Sequence, residues 1–144
     1  MQFTFATVLA LAATSMALGP RAADNEELSA RDDGLISCED TDHVYQGTER
    51  KNFVEGQNYL RKKGKVCDTE AGKCARVSCS NDGAVYLCSQ DDKAHYGVDC
   101  GLIADYIDHI FDQCQTNAQY FYQLAVGYQE NSEGWRVEVG YNSC

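Results

Sequence analysis

The sequence predicts an α+β fold: a single-domain α/β sandwich in which an antiparallel sheet carries two helices on one side and disulfides staple the layers. Three observations predict it. All eight cysteines lie from Cys38 onward, behind a start that reads as a secretory signal. An apolar stripe at helical spacing runs from Cys100 to Cys114. Two stretches, 76–88 and 120–141, alternate with period two around turn sequences.

The chain divides into three parts. Residues 1–17 read as a signal peptide: Met1 to Ala17 carry no charged side chain, Phe3 to Leu11 form a short apolar run, and Ser15-Met16-Ala17 places small residues where a signal peptidase cuts. The run is shorter than the roughly 20 apolar residues a membrane helix needs. No second run follows, so no membrane span is expected. Residues 18–36 read as a disordered leader or pro-segment. They hold Asp24, Glu26, Glu27, Asp32 and Asp33 against Arg21 and Arg31, no aromatic residue, and the only proline, Pro20. Residues 37–144 form the disulfide-rich domain.

Charge narrows the partners. From Gly34 onward the chain has 10 basic and 17 acidic residues, a net of −7. An acidic surface excludes nucleic-acid binding by general electrostatics. One basic cluster stands out, Arg61, Lys62, Lys63 and Lys65. It suits a solvated helix end, where cations oppose the dipole; a protease site at Lys62-Lys63 or a patch for an acidic partner are its other uses. A domain of about 110 residues has a thin core. Each disulfide adds about 2–4 kcal/mol, so the bridges are expected to be essential.

The elements follow in order. Thr48 to Lys63 is expected to be a helix, capped by Thr48, with Phe53, Gln57, Leu60 and Gly64 on one stripe. Gly56 weakens it by about 1 kcal/mol against alanine. Arg76–Ser80 and Ala84–Cys88 read as a hairpin around Asn81-Asp82-Gly83. With Asp82-Gly83 as the loop, Cys79 faces Tyr86 and Val77 faces Cys88, and all four line one face. Asp99–Gln113 reads as the best helix, with Asp99 as N-cap and Cys100, Ile103, Ile107, Ile110, Phe111 and Cys114 on its apolar stripe. Asp105, Asp108 and Asp112 fall on the opposite, solvated face; a carboxylate-only helix face is a poor calcium cage. In the tail, residues 120–128 and 135–141 alternate as two paired strands.

Sequence alone does not pair the eight cysteines, Cys38, Cys67, Cys74, Cys79, Cys88, Cys100, Cys114 and Cys144. Geometry removes one pairing. Cys100 and Cys114 stand about 21 Å apart along one helix, too far to bond, so each needs a sheet or loop partner. Cys144 best pins a fraying last strand, with Cys79, on a strand taken as central, as preferred partner. Cys38 fastens the other end of the domain. Cys67, Cys74 and Cys79 lack the spacing and flanking histidines of a zinc site, so no metal and no cofactor are expected.

RVSC at Arg76–Cys79, AVYLC at Ala84–Cys88, DCGLIADYIDHIFDQC at Asp99–Cys114 and GWRVEVGYNSC at Gly134–Cys144 carry a family likeness. In order and spacing this half of the chain resembles the fungal killer-toxin-like family of small secreted cysteine-rich proteins, whose founding type is the virus-encoded toxin of smut fungi. The resemblance implies an antiparallel sheet with two helices on one side, and extracellular action. The founding toxin blocks calcium channels of sensitive cells and depends on a basic residue just before the first strand cysteine; Arg76 stands nearest here and is the binding candidate the resemblance implies. Many fungal members are similar to plant-facing effectors, and the acidic leader suits that group.

Three functions compete. The first is a secreted, monomeric, non-enzymatic effector or toxin-like protein that binds a host or competitor target. The second is a small secreted hydrolase such as a ribonuclease. It needs an acid and a base brought together, and His43, His95 and His109 fall in no catalytic motif. No catalytic residue is assigned. The third is an inhibitor or carbohydrate-binding module using Tyr120, Tyr122, Tyr128, Trp135 and Tyr141 as a platform; the same spacing fits core positions.

Overall fold

The computed structural model describes residues 34–115 and 124–144. The signal peptide, the leader up to Asp33 and the start of the expected tail strand, Tyr120 and Tyr122 included, lie outside the described residues. The elements run β1 (Ile36–Ser37), β2 (Thr48–Glu49), a 3-10 turn (Arg50–Phe53), α1 (Val54–Lys63), β3 (Val66–Thr69), β4 (Cys74–Ser80) and β5 (Gly83–Ser89), then β6 (Tyr96–Asp99), α2 (Cys100–Cys114), β7 (Leu124–Ala125), β8 (Gly127–Glu130) and β9 (Trp135–Tyr141). The main sheet is five-stranded and antiparallel, in the order β1-β8-β9-β5-β4. Two small ladders, β2 with β7 and β3 with β6, flank it. Ile36 pairs with Gln129, so the sheet takes in the last residue of the expected leader.

Helix α2 forms where its stripe predicts. The Asp99 carboxylate accepts from the backbone N–H groups of Gly101 (2.7 Å) and Leu102 (3.3 Å), satisfying two donors the helix cannot. Cys100, Ile103, Ile107, Ile110, Phe111 and Cys114 are all buried. They meet Phe53 and Leu60 from the first helical segment, Val85 and Leu87 from β5, and Trp135, Val137 and Val139 from β9 in one core. Both helices therefore cover the same face of the sheet, and the α+β sandwich is the fold.

The first helix starts later than its sequence suggests. Thr48 does not cap it: Thr48 pairs with Ala125 in β2, and the chain passes through the 3-10 turn before α1 begins at Val54 with no side-chain cap. The β-branched threonine instead joins a ladder and accepts a hydrogen bond from Asn52 Nδ2 at 2.9 Å. The stripe of Phe53, Gln57 and Leu60 is buried as expected. Gly56, a poor helix former, has a packing reason. A Cβ there would lie 2.3 Å from Ser78 Oγ on β4, so glycine lets α1 press against the sheet.

The hairpin loop sits one residue earlier than expected, which moves the strand pairing by two, so that Cys79 faces Ala84 rather than Tyr86. The loop is Asn81-Asp82, both with positive φ as a type I′ turn requires, and Gly83 already pairs with Ser80. Glycine is placed at 83 by close approach: a Cβ would sit 3.1 Å from the carbonyl oxygens of Asn52 and Ser80. An even shift leaves side chains on their faces. Cys79, Tyr86 and Cys88 therefore share one face as expected, but it is the face away from the helices, where Cys88 bonds Cys74; Val85 and Leu87 take the core face, and Val77, at the bulge, packs against the core instead of joining the other three. A register shift between Arg76 and Ser78 marks a β-bulge in β4.

All eight cysteines are bonded: Cys38–Cys114, Cys67–Cys100, Cys74–Cys88 and Cys79–Cys144. Cys144 takes the expected partner, but β4 is an edge strand rather than a central one, so this bridge ties the C-terminus to the sheet's margin. Cys38 holds the N-terminal segment to the end of α2. That segment crosses the back of the sheet, where Val44 is buried and the His43 ring lies 5.2 Å from that of Tyr86. Among the described residues no helix is long and apolar enough to cross a membrane.

Candidate functional site

An open cleft of about 430 Å³ runs along β4, between that strand and α1. Its floor is five consecutive residues, Arg76 to Ser80; its wall is Glu55, Gly56 and Tyr59. The wall positions follow from helix geometry, since residues three and four apart share a face. Gly56 brings the wall close. Tyr59 keeps 53% of its surface exposed, off the buried Phe53–Gln57–Leu60 stripe. Glu55 accepts from Ser80 Oγ at 3.2 Å, and Arg76 Nη1 donates to the Ser143 carbonyl at 3.0 Å. Arginine has five N–H donors, so most of this guanidinium still faces solvent. The floor strand is clamped at both ends by Cys74–Cys88 and Cys79–Cys144. Arg76, the one binding candidate from sequence, lies in this cleft. Glu55 and Tyr59 were missed; an aromatic residue off a helix's apolar stripe was the available signal.

A second polar cluster sits behind the sheet. Glu138, fully buried on β9, accepts from Arg136 Nε (2.9 Å) and Nη2 (2.6 Å) on one carboxylate oxygen. On the other it accepts from the Thr41 hydroxyl (2.6 Å) and lies 3.2 Å from His43 Nδ1. Three side chains already surround this carboxylate, which makes it a structural latch for the N-terminal segment. His43, Glu138 and the sulfurs of Cys74 and Cys88 offer ligand atoms within 4.8 Å of one another, a grouping the sequence did not reveal. Both sulfurs are bonded to each other, however, and metal ligation needs thiolates. The alternation of Arg136 and Glu138 on one strand was the legible half of this cluster.

Between the helices runs an ionic network. Asp105, Asp108 and Asp112 lie on a solvated face as expected, and there they meet two arginines of the first helical region. Arg50 donates to Asp108 and to Asp112 (2.9 Å), and Arg61 to Asp105 (3.0 Å) and Asp108 (2.8 Å). Partial burial pushes the Asp108 carboxyl up, but hydrogen bonds from Arg61, Gln57 and Arg50 outweigh it and hold it below 3.8. Hydrogen bonds to Asp112 and Asp108 raise the Arg50 guanidinium above its ordinary value, and bonds to Asp108 and Asp105 raise Arg61 likewise. Of the basic cluster, Arg61, Lys62 and Lys63 end α1, before Gly64 in the left-handed conformation. The helix-end reading holds, with Arg61 committed to α2.

The three histidines lie on separate elements: His43 at the latch, His95 exposed in the loop before β6, His109 exposed on α2 beside the Tyr106 ring. None lines the cleft. The aromatic residues within the described part do not form one platform either. Trp135 is buried against Tyr106 at 5.1 Å, Tyr128 stacks under Arg136 at 4.7 Å, and Tyr141 packs edge-on to Tyr45 at 5.5 Å. Adjacent strand positions point to opposite faces, which separates Trp135 from Tyr128.

Comparison with protein families, curated proteins and solved structures returned no match.

Proposed function

We propose that this chain is a secreted, non-enzymatic effector or toxin-like protein that acts outside the producing cell by binding a host or competitor target through the β4–α1 cleft. The observation that carries this reading is the cleft itself. It presents an exposed aromatic ring and an acid on α1 beside a guanidinium on a strand fixed by two disulfides, the rigid polar-and-aromatic surface that recognition favours. The four bridges fit a protein that works in an oxidising, protease-rich fluid. The histidines' separation supports binding over acid–base catalysis. The C-terminal half's resemblance to killer-toxin-like proteins supports the same reading, with Arg76 as a contact residue.

The test is to apply purified, oxidised protein to plant tissue and to fungal cells, beside a reduced and alkylated control. Surface binding or a growth or defence response is expected from the oxidised protein alone, weakened by Tyr59→Ala and by Arg76→Glu. Equal responses from the alkylated control, or turnover of RNA or glycan by the native protein, would overturn it.

A further inference from the structure

We propose that the β4–α1 cleft takes an extended peptide strand, which adds to the sheet at β4 and carries a basic residue, an apolar residue and an acidic residue in that order. This rests on the binding role argued above and names its ligand class. The first ground is the edge. β4 is seven residues long and stands last in the sheet; among the described residues it pairs with β5 alone. A strand edge offers a row of N–H and C=O groups to an incoming chain. Here the cleft runs along that row, so the space and the unpaired edge coincide. The bulge at Arg76–Ser78 is the irregularity that re-aims side chains at such margins.

The second ground is charge order. Glu55 is hydrogen-bonded to Ser80 at one end of the cleft. Arg76 lies at the other, four β4 positions away and so about 13 Å along the strand. Tyr59 and Val77 supply the apolar middle. An antiparallel partner, the stronger pairing, runs opposite to β4. Its N-terminal end meets Glu55 and its C-terminal end meets Arg76. Complementarity then demands a cation first and an apolar side chain between Tyr59 and Val77, both on the helix face, and a carboxylate next, on the following position and so turned to the outer face, where the bulge places Arg76 opposite Tyr86. The chain's own leader is the less fitting occupant, because Gly34 enters at the β1 side, the opposite margin of the sheet.

The experiment uses the full oxidised protein and end-blocked heptapeptides containing Lys-Thr-Val-Glu, whose Lys and Val share one face and whose Glu takes the other. Controls are the same peptide with its charges exchanged and one N-methylated at alternate backbone nitrogens. Binding is read by fluorescence anisotropy and by amide NMR shifts. The expected result is binding of the Lys-first peptide with shifts centred on residues 76–80 and 55–59, and at least tenfold weaker binding after N-methylation. The double variant Glu55→Lys with Arg76→Glu should prefer the charge-exchanged peptide; both sites are exposed, and an unchanged thermal transition confirms its fold. No binding of either peptide, indifference to N-methylation, shifts elsewhere, or β4 amides already protected without peptide would overturn the proposal. Failure here with cell binding retained removes only the peptide; failure of both removes the binding role as well.

Discussion

Thr41 donates its hydroxyl to Glu138 at 2.6 Å across 97 positions of sequence, joining the segment between β1 and β2 to the last strand. Around that contact Arg136 and His43 complete the shell of a carboxylate with no solvent exposure. Removing the carboxylate leaves the Arg136 guanidinium, the Thr41 hydroxyl and the His43 ring, all partly shielded from water, without their shared acceptor, which costs more than the net worth of any one pair. Glu138→Ala should therefore destabilise the domain by about 3 kcal/mol. Glu138→Gln should cost less, since the amide oxygen still accepts. Urea denaturation of the oxidised protein measures both; a loss for Glu138→Ala indistinguishable from zero contradicts the latch.

Acid should weaken the helix pair. The Asp108 carboxyl is held below its ordinary 3.8 in the folded chain by Arg61, Gln57 and Arg50, after burial's opposing push. A depressed folded value means the contribution is present above the unfolded pKa and disappears as pH falls through the folded one. Thermal unfolding between pH 2 and 6 should show this as a slope below about pH 4 that Asp108→Asn flattens. At neutral pH the same variant should lose about 1 kcal/mol, as expected for partly exposed pairs. An Asp108→Asn curve parallel to the native one counts against it.

The contrast between the two helices shows what the sequence displays and what it conceals. Helix α2 was legible because its whole signal is local: one cap at Asp99 and one stripe of six residues. The start of α1 was not, because Thr48 has two uses and its choice of β2 depends on Ala125, far along the chain. The hairpin's position was legible from Asn81-Asp82-Gly83, but its register was decided by the approach of the Asn52 carbonyl to Gly83. The aspartates of α2 were legible as a solvated face, but their partners were not, because nothing local brings Arg50 and Arg61 to them. For the same reason Arg76 could be singled out, while the cleft that gives it neighbours needed α1 in place.

The bridges differ in what they add to the fold, and this yields an ordering. Cys74 and Cys88 are directly paired residues of one hairpin, 14 positions apart. The β4–β5 ladder already holds them together, so their bond closes a loop that the sheet has closed. Cys38–Cys114 spans 76 positions and joins the N-terminal segment to the far end of α2, with the short β1–β8 pairing, the Tyr45–Tyr141 bridge and the latch beside it. Chain-entropy reasoning gives about 3 kcal/mol for the shorter loop and above 4 for the longer. Replacing Cys38 and Cys114 by serine should thus lower stability more than replacing Cys74 and Cys88 by alanine. It should also open residues 34–47 to limited proteolysis while the core helix α2 stays protected. Equal losses for the two pairs, or no new cleavage in that segment, would show that the latch at Glu138 suffices to hold it.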